Sequence, residues 1–169
     1  PPTLRRQRQM CIRDRFKRAA ATPSLFESEG RAVVFENLED LANRIDDPEL
    51  DITEGDIMVL KNAGPVAAGM PEAGYLPIPK KLLRAGVKDI VRISDARMSG
   101  TAFGTIVLHI APETARGGPL ASVQTGDRIR LSVKEKNIEL VVDDEEIARR
   151  LADYRSPALP PRGYRGLYA

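Results

Sequence analysis

The sequence contains one cysteine, one histidine, no tryptophan and no long apolar run. A single cysteine excludes an internal disulfide and is typical of proteins from a reducing compartment, so we expect a cytoplasmic location. No apolar run approaches the ~20 residues that a transmembrane helix needs, so a membrane span is not expected. The one histidine, His109, lies in a strand-like apolar run, where a packed or satisfied strand histidine is a better interpretation than a catalytic one.

The charges nearly cancel, with 26 basic and 24 acidic side chains. The basic excess is local, because it depends on a cluster near the N-terminus: Arg5, Arg6, Arg8, Arg13, Arg15, Lys17 and Arg18. Without that cluster the chain is acidic. The isoelectric point of about 8.9 is therefore no evidence for a nucleic-acid partner.

Residues 1–20 differ from the rest of the chain, since they are basic and show no apolar periodicity. The run 5–15 looks like translated sequencing-adapter sequence, and a nucleic-acid-binding arm or a transit peptide are the functional alternatives. We expect residues 1–20 to be non-native or disordered and to pack against nothing. On that interpretation Cys11 is not a functional site.

Local patterns predict many short elements. Apolar runs bounded by turn residues predict strands at 32–35, 57–60, 89–93, 105–110, 120–123, 128–133 and 137–142. Helical spacing follows a cap at Asn37, recurs at 80–85, and begins again at Asp143 with Glu146 in a capping-box pattern. The glycines and prolines of residues 61–74 indicate a loop between two of these elements.

These elements make up one domain, which we assign to residues 21–155. Residues 156–169 form a truncated, Pro-rich tail that is expected to leave the fold. Many short strands with few helices predict a mixed α/β, β-rich domain, in which a closed or nearly closed sheet carries helices on its outside. The pattern does not give the order of the strands.

The chain is organised around a loop at residues 94–104, which lies between two apolar runs. The loop combines several hydroxyls with two glycines, and glycine lets a backbone approach a ligand closely. An ion pair between Asp95 and Arg97 would shape the loop. A tight polar turn between buried strands is the alternative interpretation.

Motifs elsewhere in the chain give this loop a context. In chain order the motifs are Gly64-Pro65, Gly69-Met70-Pro71-Glu72, Asp95-x-Arg97-x-Ser99-Gly100 and Gly117-Gly118-Pro119. Together they resemble the C-terminal domain of the dihydroxy-acid and sugar-acid dehydratases, over residues from about 30 to 154. The details of residues 61–65 and 94–101 look more like the aldonic-acid branch, which includes arabinonate and xylonate dehydratases. One departure is Val66-Ala67, where the family usually has Lys-Gly.

The resemblance implies a swivelling β-barrel domain with flanking helices. It also implies that the chain is part of a hydro-lyase, which dehydrates an aldonate to a 2-oxo-3-deoxy acid. A dihydroxy-acid dehydratase of branched-chain amino-acid biosynthesis is one alternative, and a non-catalytic stand-alone barrel that binds a partner is another. The implied partners are the sugar-acid substrate, the family's N-terminal domain and further copies in a dimer or tetramer, with no nucleic acid and no membrane.

The resemblance also assigns roles to individual residues. Ser99 would be the base that removes the C2 proton, with Thr101 close enough to orient it or relay a proton. Glu72 would be a ligand of Mg²⁺, a hard cation that prefers oxygen ligands. A hydroxyl that stabilises a turn and a solvated loop glutamate are the structural alternatives for Ser99 and Glu72.

The resemblance places the ligands of an iron–sulfur cluster in the family's N-terminal domain. We therefore expect the 169-residue chain to be inactive by itself, because a cluster needs several thiolates and this sequence has one cysteine. We also expect Glu72, Ser99 and Thr101 to converge on one face. Their two loops should leave the barrel at the same end, towards the N-terminal domain.

Overall fold

The computed structural model describes residues 9–11, 16, 18–68, 76–98 and 103–158. Within these residues one sheet contains β1 (Gln9–Cys11), β2 (Glu27–Phe35), β3 (Ile57–Leu60), β4 (Val91–Ser94), β5 (Ile106–Val107), β6 (Arg128–Ser132) and β7 (Asn137–Val141). The order across the sheet is β1-β7-β6-β2-β3-β4-β5. The sheet forms a half-barrel with a few helices, so the predicted mixed α/β, β-rich class is confirmed.

Strand β2 joins two differently built halves of this sheet. Its residues 27–31 pair antiparallel with β6, whereas its residues 32–35 pair parallel with β3. Strands β4 and β5 continue the parallel half, and β7 and β1 continue the antiparallel half. Within the antiparallel part of β2, a side chain at Gly30 would collide with the carbonyl oxygen of Gly55. Gly55 belongs to the turn that precedes β3. Strand β2 therefore requires a glycine at position 30, where that turn packs against it.

Three short α-helices of the described residues lie between strands, namely α1 (Leu38–Arg44), α2 (Pro65–Ala68) and α3 (Lys80–Arg84), and α4 (Asp144–Asp153) follows β7. Helix α1 begins as the sequence predicts, since the side chain of Asn37 accepts a hydrogen bond from the N–H of Asp40. The capping box predicted for α4 is wrong. Asp143 makes no side-chain cap bond, and Glu146 instead pairs with two arginines of its own helix. None of the helices in the described ranges is long and apolar enough to cross a membrane.

The apolar residues of the parallel strands divide between two cores. Ala32 and Val34 of β2 belong to a cluster that also receives residues of β6, β7 and α4. Val33 and Phe35 belong to a second cluster, which includes residues of α1 and α3. Successive residues of a strand point to opposite faces, so this half of the sheet is buried on both sides. That arrangement explains why β3 appears in the sequence as a continuous apolar run, and why even the polar residues of β4, Arg92 and Ser94, are buried.

Two of the predicted strands differ in the structure. The residues predicted as a strand at 120–123 form a 3₁₀ turn, Pro119–Ser122, because the preceding Gly118-Pro119 starts a tight turn. The predicted strand at 105–110 is paired only at Ile106–Val107. His109 lies beyond β5, has a positive φ of 55° and is exposed, so the prediction is wrong in placing it in a strand and in its packed form. Its N–H donates to the carbonyl of Ala96, which lies beyond the end of β4.

The N-terminal segment contacts both edges of the sheet. Strand β1 pairs with β7 at one edge, and Phe16 forms an isolated bridge with Val107 of β5 at the other. The ring of Phe16 also meets the ring of Phe26 edge-on, at 5.5 Å between centroids. The expectation that residues 1–20 pack against nothing is therefore wrong for the described part. Edge strands present unpaired backbone groups, and even a basic segment can pair with them.

Helix α4 and the residues after it pack on the domain. Arg150 of α4 donates to Asp127 at 2.6 Å, and both side chains are largely buried. After the helix, the hydroxyl of Ser156 donates to the carbonyl of Ala115 at 2.8 Å. Ser156 therefore still belongs to the domain, and residues 159–169 of the expected tail lie outside the described residues.

Candidate functional site at the carboxyl edge of the parallel strands

The carboxyl ends of the parallel strands β2, β3 and β4 lie side by side, and this row of strand ends is the carboxyl edge, or simply the edge. In their register Phe35 of β2 lies beside Leu60 of β3, and Leu60 lies beside Ser94 of β4. The segments that follow these three residues therefore begin as neighbours. In open α/β sheets, ligands bind outside the carboxyl ends of the strands. A ligand-binding site is therefore expected at this edge.

The three predicted site residues, Glu72, Ser99 and Thr101, lie outside the described residues. The loop that carries Glu72 follows β3, and the loop that carries the other two follows β4. Ser99 comes directly after Met98, the last described residue before it. Glu72 is four residues beyond Ala68, a distance of at most about 14 Å along an extended chain. The start of both loops at this edge supports the convergence of the three residues, which stays a prediction.

Asp95 is buried at the centre of this edge. Its Oδ1 accepts a hydrogen bond from the N–H of Ala63 at 3.0 Å, and its Oδ2 accepts one from the N–H of Thr114 at 2.8 Å. The carboxylate thus connects the loop after β3 with the segment after β5. Arg97 is exposed. The two oxygens of Asp95 bind backbone N–H groups and do not form the suggested ion pair with Arg97.

The neighbouring Ser94 connects the same segments through its own hydroxyl. Its Oγ donates to the carbonyl of Leu60 at 2.8 Å and accepts from the N–H of Ala96 at 3.0 Å. Its carbonyl accepts from the N–H of Ile110 at 3.3 Å. Residues 94–96 are therefore fixed on both sides, directly before the loop that leads to Ser99.

Glu113 is a second carboxyl group at this edge, and the sequence interpretation missed it. Its Oε2 accepts from the N–H of Val66 at 2.9 Å. Burial raises the pKa of Glu113, the bond from Val66 opposes that rise, and the charge of Asp95 adds to it. A side chain at Gly64 would collide with this carboxyl group. The one signal in the sequence was an acid between Pro112 and the Gly117-Gly118 pair.

The end of α4 closes one side of the edge. Tyr154 donates its hydroxyl to Oδ1 of Asn62 at 3.3 Å, and Asn62 donates to the carbonyl of Glu36. Burial raises the pKa of Tyr154, and the charges of Asp95 and Glu36 add to that rise. Lys61 is also buried, with its ammonium 3.2 Å from the carboxylate of Glu36. The edge thus combines buried charges of both signs.

Comparison with known proteins identifies the family. A sequence profile of the dihydroxy-acid/6-phosphogluconate dehydratase C-terminal domain matches residues 15–169. The chain belongs to this dehydratase family. The match begins at residue 15. Residues 1–14, which include β1, lie outside it.

Curated dehydratases resemble this domain to different degrees. L-arabinonate dehydratase of Rhizobium leguminosarum bv. trifolii (strain WSM2304) is 52% identical over 154 residues, which are 90% of this chain and 27% of that protein. 6-Deoxy-6-sulfo-D-gluconate dehydratase of Pseudomonas putida is 55% identical over 139 residues, 82% of this chain and 24% of that protein. Dihydroxy-acid dehydratase of Pyrococcus abyssi (strain GE5 / Orsay) is 36% identical over 155 residues, 90% of this chain and 27% of that protein. The chain therefore spans about a quarter of the length of these relatives.

The described part of this dehydratase domain does not form a metal site by itself. Across its described ranges, no group of three or more His, Cys, Asp or Glu residues could hold a metal ion. The two carboxyl groups at the edge, Asp95 and Glu113, accept bonds from backbone N–H groups instead. These residues do not fit a Mg²⁺ or cluster site on their own.

The raised pKa of Glu113 predicts a pH dependence in this dehydratase domain. The folded chain holds the Glu113 proton more tightly than the unfolded chain, so its contribution to stability is present at low pH and is lost as the pH rises above 4.5. The quantity to compare is the free energy of unfolding of the unmodified chain minus that of Glu113→Gln. We expect this difference to fall as the pH rises above 4.5. Urea unfolding of both proteins at a series of pH values measures it.

A control with the opposite sign is available in Glu146. Hydrogen bonds from Arg149 and Arg150 lower the pKa of Glu146 to about 2. The free energy of unfolding of the unmodified chain, minus that of Glu146→Gln, should therefore rise as the pH increases from about 2 to 4.5. Equal slopes for the two variants would contradict the assignment for Glu113.

Proposed function

We propose that this chain is the C-terminal part of a hydro-lyase that dehydrates a sugar acid to a 2-oxo-3-deoxy acid. The observation that carries the proposal is the difference in identity among its relatives. Proteins named as L-arabinonate and 6-deoxy-6-sulfo-D-gluconate dehydratases share 52% and 55% of residues with it, against 36% to 40% for three dihydroxy-acid dehydratases and 38% for a D-xylonate dehydratase. The motifs around residues 61–65 and 94–101 favour the same branch.

The proposed reaction removes the C2 proton of a 2,3-dihydroxy acid and expels the C3 hydroxyl. The electron pair of the C2–H bond forms the C2–C3 double bond, the hydroxyl leaves as water, and the resulting enol becomes the 2-oxo acid. Ser99 is the proposed base, and Thr101 orients it or relays the proton. An isolated serine is a weak base, so the role requires an environment that stabilises its alkoxide. The fixed position of residues 94–96 supports the proposal, because Ser99 follows them closely.

The proposal extends to groups that the described residues do not form by themselves. Glu72 is the proposed ligand of Mg²⁺, and the ligands of an iron–sulfur cluster belong to an N-terminal domain of the kind the family has. That domain and further copies of the whole protein are the proposed partners, and a sugar acid is the proposed substrate. We place the protein in the cytoplasm.

A chimera tests the function. Residues 15–169 would replace the matching quarter of the L-arabinonate dehydratase of Rhizobium leguminosarum, to which they are 52% identical. We expect the assembled chimera to dehydrate L-arabinonate at a rate comparable with that of the parent enzyme. The readout is formation of the 2-oxo acid, and the isolated chain is the control that should show no turnover.

Two results would contradict the proposal. A chimera that assembles like the parent but turns over only branched 2,3-dihydroxy acids would indicate the amino-acid pathway enzyme. A correctly assembled chimera with no turnover of either substrate would indicate a binding domain. Placing the matching part of the Pyrococcus abyssi dihydroxy-acid dehydratase in the same parent shows whether the exchange itself is tolerated.

A further inference from the structure

Asp95 is the feature of this edge that the proposed chemistry leaves unexplained. Only 2% of its surface is exposed, and burial of a charged carboxylate is costly unless its oxygens are hydrogen-bonded. Within the described residues, both of its hydrogen bonds come from backbone N–H groups, those of Ala63 and Thr114. These donors are 32 and 19 residues away in the sequence, so the carboxylate connects segments that local structure would leave independent.

The connected segments lead to the predicted site residues. Ala63 belongs to the loop after β3, which continues through α2 towards Glu72. Asp95 itself is four residues before Ser99, a separation of at most about 14 Å. Thr114 follows Glu113, whose carboxyl group holds the first turn of α2 through the N–H of Val66. One buried carboxylate therefore joins the described starts of the two chain segments that precede Glu72 and Ser99 in the sequence.

We propose that Asp95 is a positioning residue, which sets the loop of Ser99 against the loop of Glu72. The inference rests on the proposed function, since it gives these loops a common site. A carboxylate suits this role because it only accepts hydrogen bonds and can accept from two donors at once. Asp95 need not contact the substrate. Its effect on turnover comes through the placement of Ser99, and a misplacement of about 1 Å can lower a rate about 10²-fold.

The first test uses amide hydrogen exchange of the isotopically labelled 169-residue chain, observed by NMR. In Asp95→Asn an NH₂ group replaces one carboxylate oxygen, so one of the two N–H donors loses its acceptor. We expect the N–H of Ala63 or that of Thr114 to exchange about tenfold faster, because a hydrogen bond is worth about that factor. In Asp95→Ala both N–H groups should exchange faster.

The second test measures kinetics of the same Asp95→Asn substitution in the arabinonate dehydratase chimera. We expect kcat to fall about 10²-fold while KM changes little, because the carboxylate acts on the base and not on the substrate. A purely structural role would reduce the amount of folded enzyme and leave the kcat of the folded fraction unchanged.

Asp56 supplies the matched control. It is also a buried carboxylate and accepts a bond from a loop N–H, that of Thr53, at 2.7 Å. It lies just before β3, at the opposite end of the parallel strands. Asp56→Asn should lower stability without changing the kcat of the folded enzyme or the exchange of Ala63 and Thr114.

The outcomes separate this inference from the proposed function. Unchanged exchange at both Ala63 and Thr114 in Asp95→Asn, or equal kcat values for Asp95→Asn and Asp56→Asn, would overturn the positioning role. If the unmodified chimera is inactive, the proposed function fails and exchange alone decides whether Asp95 connects the two segments. Faster exchange together with a selective loss of kcat is the expected result.

Discussion

Replacing Ser99 with alanine in an active chimera is expected to remove most of its turnover. General-base catalysis typically contributes ~10²–10⁴-fold, so we expect kcat to fall by at least that range. The substitution removes only a hydroxyl from a loop, and it should cost little stability compared with a truncation in the core. The decisive measurement is the exchange of the substrate C2 proton with solvent deuterium, because it reports proton removal separately from loss of water.

Ser28→Ala is the control for this prediction. Its hydroxyl donates to the carbonyl of Leu25, far along β2 from the carboxyl edge. Its loss should therefore leave turnover unchanged. An alanine variant at Ser99 that exchanges the C2 proton at the normal rate, yet fails to eliminate water, would show that another group is the base.

Removing the carboxylate of Asp89 is expected to have the largest effect on stability. Asp89 pairs with Arg92 at 3.2 Å, and only 4% and 2% of the two side chains are exposed. Asp89 also accepts bonds from the hydroxyls of Thr22 and Thr105, both at 2.7 Å. Asp89→Ala breaks a buried ion pair by removing one partner, which typically costs about 3–5 kcal/mol. The midpoint of urea unfolding of the 169-residue chain measures this loss.

The matched control removes an exposed carboxylate. Asp153 lies 3.9 Å from Arg149 on the surface of α4, and 74% of its side chain is exposed. Exposed pairs contribute little, so Asp153→Ala should barely move the midpoint. Similar midpoints for the two variants would show that the Asp89–Arg92 pair is not the anchor that its burial suggests.

Elements fixed by local chemistry could be predicted from the sequence. The strand at 57–60 agrees with β3 in both of its bounds, and the β6–β7 hairpin forms where two apolar runs flank a short polar turn. The cap at Asn37 is correct, because its bond joins residues three apart. In each case the information that decides the structure lies within a few residues of the element.

Features that depend on distant parts of the chain could not be predicted. The pairing of β1 with β7 joins residues that lie more than a hundred positions apart, and no local pattern reveals a free sheet edge. The partners of Asp95 are backbone N–H groups, which every residue except proline has. Sequence composition therefore cannot identify them. Arg97, the partner that the sequence suggests, is close to Asp95 in the sequence and opposite to it in charge.

The candidate site divides in the same way. The motifs indicated which loops matter, and the register of β3 with β4 places the start of those loops at one edge. The motif contains Asp95 but does not reveal that its carboxylate accepts from the N–H groups of Ala63 and Thr114, and Glu113 lies outside the quoted motifs. Their role depends on the space between segments, which only the packed structure defines.

The double pairing of β2 has a consequence for how the domain melts. Its residues 27–31 hold the β6–β7 hairpin, and its residues 32–35 hold the parallel strands. A hairpin released from such a neighbour is marginal in water, because an isolated pair of strands buries too little apolar surface. The β6–β7 hairpin therefore has no stable folded form of its own once β2 detaches. The domain should open as a single cooperative unit, and amides of β6 and β3 should share one upper limit of protection.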